Sequence, residues 1–379
     1  MKKPVRGEAW VTKPLIEVAT LQRGYDLPVQ DRTEGGVPIF AANGPVGFHG
    51  SFKCKGPGVV TGRSGTIGKV HFVEEDYWPL NTSLYVKDFH GNDPRWVYYM
   101  LQTFGLERFS QGAGVPTLNR NLIHSEPISV PPLPEHRRIA AILDQADALR
   151  AKRREALAQL DRLAQSVFVE MFGDPVSNPM NWPESHVLGD VAEIVSGITK
   201  GRKISSSATR SVPYLAVANV QDKALNLAVV KEIEATEDEI SRYALKKNDL
   251  LLTEGGDPDK LGRGTLWNDE LPECIHQNHV FRVRLTHGEV HPLFLNWLVG
   301  SQRGKKYFLR SAKQTTGIAS INMTQLRGFP LFMPPLAMQE AFAARIHAVE
   351  VQRQAHRAAL AELDALFASL QHRAFRGEL

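Results

Sequence analysis

The chain has 379 residues, 42% of them hydrophobic and 23% charged, with a net charge of +4. That length and balance imply two or three domains with apolar cores and exclude a disordered or fibrous chain. Cys54 and Cys274 are too few and too far apart for a disulfide framework or a zinc site, and no apolar run approaches the ~20 residues that span a bilayer. Met1-Lys2-Lys3-Pro4 leads into no apolar stretch, so no secretory leader is expected and the cytoplasm is the default location.

Residues 1–133 are rich in glycine and β-formers. A head from Trp10 to Gly24 comes first. Val37 to Phe40 reads as a strand before the turn Ala42-Asn43-Gly44-Pro45, and Gly56-Pro57-Gly58 is a turn before the short strand Val59 to Thr61. Gly62-Arg63-Ser64-Gly65-Thr66-Ile67-Gly68-Lys69-Val70 then reads as a glycine-rich hairpin. It fails as a phosphate loop, because Val70 stands where the Ser or Thr hydroxyl belongs. Trp78 to Val86 is a loop entering a strand. Arg95 to Phe109 is expected as a helix with Trp96, Tyr99, Met100 and Leu101 in the core.

From Pro131-Pro132-Leu133-Pro134 the chain enters a helical pattern with no Gly or Pro between Glu135 and Phe172, a rod of roughly 55–60 Å. Ile139, Leu143, Ala146, Leu149, Leu157, Leu160, Ala164, Val167 and Met171 form an apolar stripe that must pack on something. Gly173-Asp174-Pro175 ends it. After the linker Ser177-Asn178-Pro179, residues 176–333 give a strand-like Val212 to Val220, an acidic helical stretch Glu234 to Tyr243, and a turn into a strand from Lys246 to Thr253. A polar loop runs from Glu254 to Gly264, the strand Val280 to Leu285 follows Gln277-Asn278-His279, and Phe294 to Ser311 reads as one helix. Arg303, Lys305 and Lys306 cluster on it, as a polyanion partner or a helix C-terminus would favour. Pro334-Pro335-Leu336 opens a second unbroken helical run, Ala337 to Arg376.

The two halves repeat. Pro131, Pro132 and Leu133 match Pro334, Pro335 and Leu336 at an offset of 203 residues, as do Gly114 and Gly317, Asn119 and Asn322, and Leu160 and Leu363. At an offset of 173 the heads align through Val18 and Val191, Ala19 and Ala192, and Gly24 and Gly197. Heptad bias alone gives the leucine matches but not the proline, glycine and asparagine ones, so the chain is an internal duplication. The charge surplus follows the same division: residues 1–133 carry 14 Lys/Arg against 12 Asp/Glu, and 176–333 carry 19 against 17. A bias that small is compatible with nucleic acid and does not require it.

No catalytic signature is present. His-Glu-x-x-His, Gly-x-Ser-x-Gly and the Asp/Asn-Pro-Pro-Tyr/Phe of aminomethyltransferases are absent, Asn178-Pro179-Met180 is not a variant of the last, and no acid-x-Lys follows Pro258-Asp259. The chain reads as non-catalytic.

The run Pro131 to Asp161, followed by Met171-Phe172-Gly173-Asp174-Pro175, resembles the central conserved helix of the specificity subunit of type I restriction–modification systems. Pro334-Pro335-Leu336-Ala337-Met338-Gln339 is similar to the start of its distal helix, although Met338-Gln339-Glu340-Ala341 replaces the more usual Glu-Gln. Gly58-Val59-Val60, Gly62-Arg63, Gly65 and Asn81-Thr82-Ser83 resemble one type of target-recognition domain. Val212 to Leu215, Glu254-Gly255-Gly256-Asp257 and Gln277-Asn278 resemble another.

The resemblance implies an α+β fold: two similar mixed α/β recognition domains, 1–133 and 176–333, and two long helices, 134–175 and 334–379, packed antiparallel as a coiled-coil-like spacer with a pseudo-twofold. It also implies a bipartite, asymmetric double-stranded DNA target, one half-site per domain. Expected partners are two modification (methyltransferase) subunits docked on the helices and restriction subunits with translocase and nuclease activity, with no membrane. S-adenosylmethionine, ATP and Mg are expected on those partners and no cofactor on this chain. Candidate DNA-contacting residues are Arg63, Lys69, Asn81, Ser83, Gly255, Gly256, Arg263, Gln277, Asn278, Arg303, Lys305 and Lys306; candidate partner contacts are Ile139, Leu143, Leu157, Leu160, Leu360 and Leu363. The alternatives are a non-catalytic coiled-coil scaffold and a degenerate methyltransferase or nuclease fragment.

Overall fold

A computed structural model describes residues 10–112, 114–203, 208–257, 260–315 and 318–379. The Met1 to Pro4 start, Pro258-Asp259 and Gly317 lie outside the described residues. The chain divides into two units, Met1–Ala156 with His356–Leu379, and Leu157–Ala355.

In the first unit, Thr20–Arg23, Ser83–Asp88, Gly58–Gly62 and Val70–Val73 lie side by side in that order, each neighbour antiparallel. A second sheet orders Gly44–His49, Val37–Ala41 and Trp78–Pro79, the last pair parallel. Gly58–Gly62 is buried along its whole length. Successive side chains of a strand point to opposite faces, and here both faces are covered. Val59 packs with Leu21, Leu84 and Val86 under the helix Pro94–Thr103, whose Trp96, Val97, Met100 and Leu101 turn inward. Val60 points the other way, toward Phe40, Tyr77 and Tyr85. That helix starts where Asp93 accepts from the Arg95 and Trp96 amides, with Pro94 in a position whose missing N–H is harmless.

The second unit repeats the plan. Ala192–Ser196, Val280–Leu285, Leu250–Thr253 and Gly264–Leu266 form an antiparallel four-stranded sheet, and Lys231–Ala235, Arg210–Leu215 and Ile275–His276 a three-stranded one with the same single parallel pair. The head matches acquire a physical cause. A Cβ on Gly24 would sit 2.2 Å from the Leu80 carbonyl oxygen, and one on Gly197 would sit 1.9 Å from that of His276. Both positions admit only hydrogen.

The long helices run Leu133–Phe172 and Leu336–Ala374. Within the first unit, Ile139, Leu143 and Ala146 of one and Phe367 and Ala374 of the other enter the core. Within the second, Ala164, Val167, Phe168 and Phe172 meet Phe342, Ile346 and Val349. The helices run antiparallel in each: Arg153 meets His356 and Arg150 meets Asp364 in the first unit, and Glu170 meets Arg345 and Asp161 meets Arg353 in the second. The stripe is less complete than its periodicity suggests, since Leu149 is half exposed.

Ile139 and Leu143 are fully enclosed, so they are core residues of this chain rather than contacts for another subunit. Leu157, Leu160, Leu360 and Leu363 are half-buried.

Several expected elements are shorter than the pattern implies. Phe294 to Ser311 is two helices, Pro292–Val299 and Gln302–Ser311, because Ser301 breaks the run by accepting from the Arg303 amide as a cap. Arg95 to Phe109 ends as an α-helix at Thr103; Gly105, at φ +70°, turns the chain into a 3-10 turn, Leu106–Phe109. Val212 to Val220 is strand only to Leu215, after which Asn219 accepts from the Ala216 amide. Glu234 and Ala235 belong to a strand, and the acidic helix begins at Glu237 behind the Thr236 cap. Gly255–Gly256 is a strand rather than loop, paired with Ile318–Ser320.

Candidate nucleic-acid interface

In both units the candidate loop residues gather at one end of the four-stranded sheet, while Arg303, Lys305 and Lys306 lie on the helix Gln302–Ser311. In the first, Gly62 pairs with Ser83 at that end, and the chain leaves the sheet through Arg63. The Arg63 and Ser64 amides both donate to the Thr82 carbonyl, at 2.9 and 3.0 Å, and the Leu118 amide donates to the Arg63 carbonyl at 2.8 Å. The Arg63 guanidinium donates to the Asn81 carbonyl at 3.3 Å. The hairpin returns through Lys69, which is exposed and whose carbonyl accepts the Thr61 hydroxyl at 2.8 Å. Asn81 donates its amide to Asp26, which also meets Arg23 at 3.4 Å.

Beside these residues lies a cleft of about 420 Å³ lined by Arg23, Arg63, Gln111, Asn119 and Arg120. Three guanidinium groups share it, and the neighbouring Asp26 is already engaged. Burial and the nearby Arg120 lower the pKa of His124, in keeping with its Nε2 accepting the Leu21 amide at 3.0 Å. The cleft is therefore a donor-rich surface suited to phosphate oxygens or an acceptor-rich base edge.

The second unit builds the same frame. Thr253 pairs with Val280, the Glu254 amide donates to the His279 carbonyl at 3.0 Å, and the Ile321 amide donates to the Glu254 carbonyl at 2.9 Å. The registers make Glu254 the counterpart of Arg63, Gly256 of Gly65, Arg263 of Lys69 and Asn278 of Asn81. Arg263 donates to Gln221 at 3.2 Å, and its carbonyl accepts the Thr253 amide at 3.1 Å. Gln277 and Asn278 are half-buried and fixed through their backbones, to the Leu215 and Ile198 carbonyls. Gly255 is required by packing: a Cβ there would approach the Ala319 carbonyl oxygen to 2.7 Å.

Two candidates are corrected. Ser83 is completely buried, and its hydroxyl donates to the Leu80 carbonyl at 2.7 Å, so it shapes the strand start and meets nothing outside. The Arg303 side chain is 11% exposed and donates to both Glu184 oxygens and to the Pro175 and Pro330 carbonyls. It clamps the linker after the first long helix, and four of its five N–H donors are committed inside the chain. Lys305 and Lys306 are exposed on the same helix, where Lys306 helps hold the Asp174 carboxyl below its ordinary pKa, after the hydrogen bonds from Val176 and Ser177. Sequence reasoning missed Arg23, Arg120, Glu254 and His279. Arg23 precedes Gly24 and Arg120 follows Asn119, both matched repeat positions, so the repeat itself carried the signal.

The family model described as type I restriction modification DNA specificity domain matches residues 7–160 and 180–365. The specificity subunit of the type I restriction enzyme StySPI of Salmonella potsdam is 22% identical over 291 residues, covering 72% of this chain and 62% of that one. The EcoKI specificity subunit of Escherichia coli (strain K12) is 24% identical over 290 residues, with the same coverage. The chain thus spans about three-fifths of the length of these curated relatives. The crystal structure of the type I restriction–modification S subunit from M. genitalium matches 99% of this chain and 98% of that one, at 15% identity and a TM-score of 0.60, a likeness of fold. No described helix is long and apolar enough to cross a membrane. With the family model covering both halves, the chain belongs to the type I restriction–modification DNA specificity family.

Proposed function

We propose that this chain chooses the DNA sequence for a type I restriction–modification complex. Each unit reads one half of a bipartite, asymmetric double-stranded target with the sheet-end loops, and the long helices set the gap between the halves. Two modification subunits dock on those helices and bring S-adenosylmethionine for adenine N6 methylation. Restriction subunits add ATP- and Mg-dependent translocation and cleavage. The chain contributes no catalytic group and works in the cytoplasm.

The observation behind this reading is that two units with one backbone frame present different polar residues at the same place, Arg63 and Lys69 in one and Glu254 and Arg263 in the other. A duplicated frame with divergent loops suits two unequal half-sites. DNA grooves on one face recur about every 34 Å, a spacing that rigid helices can fix. Leu163 and Leu366, equivalent in the repeat and both nearly half exposed, are fitting contacts for the docked subunits beside the half-buried Leu157, Leu160, Leu360 and Leu363.

The test is a reconstitution. The purified chain alone transfers no methyl group; with its modification subunits, S-adenosylmethionine and DNA, methyl transfer appears and is confined to one motif. Methyl transfer by the chain alone, or transfer by the modification subunits to the same motif without it, would contradict the proposal.

A further inference from the structure

The two recognition sites differ in chemical sense as well as in sequence. The strand registers superimpose Arg23 on Ser196 and Arg63 on Glu254, and the two short capped helices, Arg120–His124 and Met323–Arg327, superimpose Arg120 on Met323. The three guanidinium groups of the first cleft are thus replaced by a hydroxyl, a carboxylate and a thioether. The Ser196 hydroxyl is spent on the Asn278 carbonyl at 2.7 Å. Glu254 holds His279 through one oxygen, and its other oxygen accepts no hydrogen bond among the described residues. Its side chain is 33% exposed and that of His279 is 55% exposed.

We infer, resting on the DNA-reading function proposed above, that the first unit reads a guanine through Arg63, while the second reads a base that offers an amino group, cytosine N4 or adenine N6, through Glu254 positioned by His279. Arg fits the O6 and N7 acceptors of guanine in a bidentate pair, and a carboxylate accepts from an exocyclic amino group. The backbone bonds that anchor both residues are the same, so the carbonyl and amide positions do not decide the difference; the side chains do. His279 engages one Glu254 oxygen, and the other, on a carboxylate that would repel phosphate, is left to accept from a base amino group. Arg23 and Arg120, flanking Arg63, supply the phosphate contacts that hold the first half-site in register.

The experiment is to sequence methylation in cells producing the modification subunits with the wild-type chain or with Arg63→Ala, Arg63→Lys, Glu254→Ala or Glu254→Gln. The wild type should write a two-part motif. Arg63→Ala should lower the preference for one guanine in one half by roughly 5- to 100-fold. Glu254→Ala should do the same at one cytosine or adenine in the other half, and the base that relaxes distinguishes the two. Arg63→Lys and Glu254→Gln should keep part of each preference. If the wild type writes no motif, the DNA-reading function itself fails and this inference with it. If the motif is present and the variants weaken methylation evenly at every position, the residues contact phosphate and the inference is overturned. An unchanged motif overturns it equally. A duplex carrying 7-deazaguanine at the assigned position gives a check without substitution: binding of the wild-type complex should fall, and unaltered binding would remove guanine N7 from the account.

Discussion

The loop that begins at Arg63 and the loop that begins at Glu254 are held by the same pair of backbone hydrogen bonds, one amide into a carbonyl across the sheet end and one carbonyl accepting from an equivalent residue, Leu118 or Ile321. Around that frame Asn81 and Asn278 keep the same side chain and Lys69 and Arg263 the same charge, while Arg23, Arg63 and Arg120 give way to Ser196, Glu254 and Met323. The comparison separates two demands on a duplicated protein. Positions fixed by backbone packing, such as Gly24 and Gly197, have no freedom, because a Cβ would strike a carbonyl oxygen in either unit. Positions that face outward from the frame are free to change charge. The frame belongs to the fold, and the side chains at its edge belong to the target.

The comparison can be broken at its strongest point. Gly24→Ala and Gly197→Ala should each destabilise their own unit by about 3 kcal/mol or more, since overpacking against backbone leaves nothing flexible to move aside. Thermal unfolding of both variants checks this; a large loss in one with none in the other would mean the units are not built alike at the head.

Acid should act on both units in the same direction. His136 is buried and stacked on Trp96 with ring centroids 3.9 Å apart, and burial, partly offset by the Pro131 backbone, pushes its pKa down to about 4. Burial likewise pushes His276 down to about 4, against a hydrogen bond with the Val280 carbonyl at 2.7 Å. Between pH 4 and the ordinary histidine range the unfolded chain binds more protons than the folded one. The stabilisation is therefore complete above about pH 6.5 and lost as pH falls toward 4, by up to roughly 3 kcal/mol for each histidine. Denaturant midpoints at pH 7 and pH 5, with His136→Gln and His276→Gln as controls, should show the acid loss shrink in each variant; an undiminished loss would assign it to other groups.

Arg303→Ala sharpens the distinction between structural and DNA-facing cations. It should cost about 2 kcal/mol of stability, discounted because Glu184 remains partly solvated, and leave the methylated motif unchanged. A relaxed motif in a folded variant would return Arg303 to the recognition surface. The smallest expected effect is Lys69→Ala, which should weaken DNA binding evenly across sequences and lower the salt slope by about 1. Its counterpart Arg263→Ala should relax one half-site only; equal loss in both halves would count against two independent units.

The long helices were legible from their prolines, their apolar stripe and the Gly173 stop, because those signals act within a few residues. The duplication was legible because matched glycines and prolines report backbone geometry directly. Side-chain fates were harder. Ser83 looked like a loop hydroxyl, yet its partner Leu80 and its burial depend on a sheet packed from Phe40. Arg303 looked like part of a cationic patch, yet its partner Glu184 lies 119 residues away in sequence. Glu254 stands in a sequence stretch that resembles a recognition-domain motif, and the strand registers that pair it with Arg63 give its side chain a place at the loop end.

The most direct test of the central claim is genome-wide adenine methylation by long-read sequencing, in hosts with the modification subunits and with or without this chain, followed by exchange of residues 1–133 or 176–333 for those of a relative with a known motif. The account predicts a split motif with a fixed gap that appears only with the chain, and each exchange should replace one half of the motif while keeping the other half and the gap. A motif that is the same with and without the chain, or that changes in both halves on a single exchange, would contradict it.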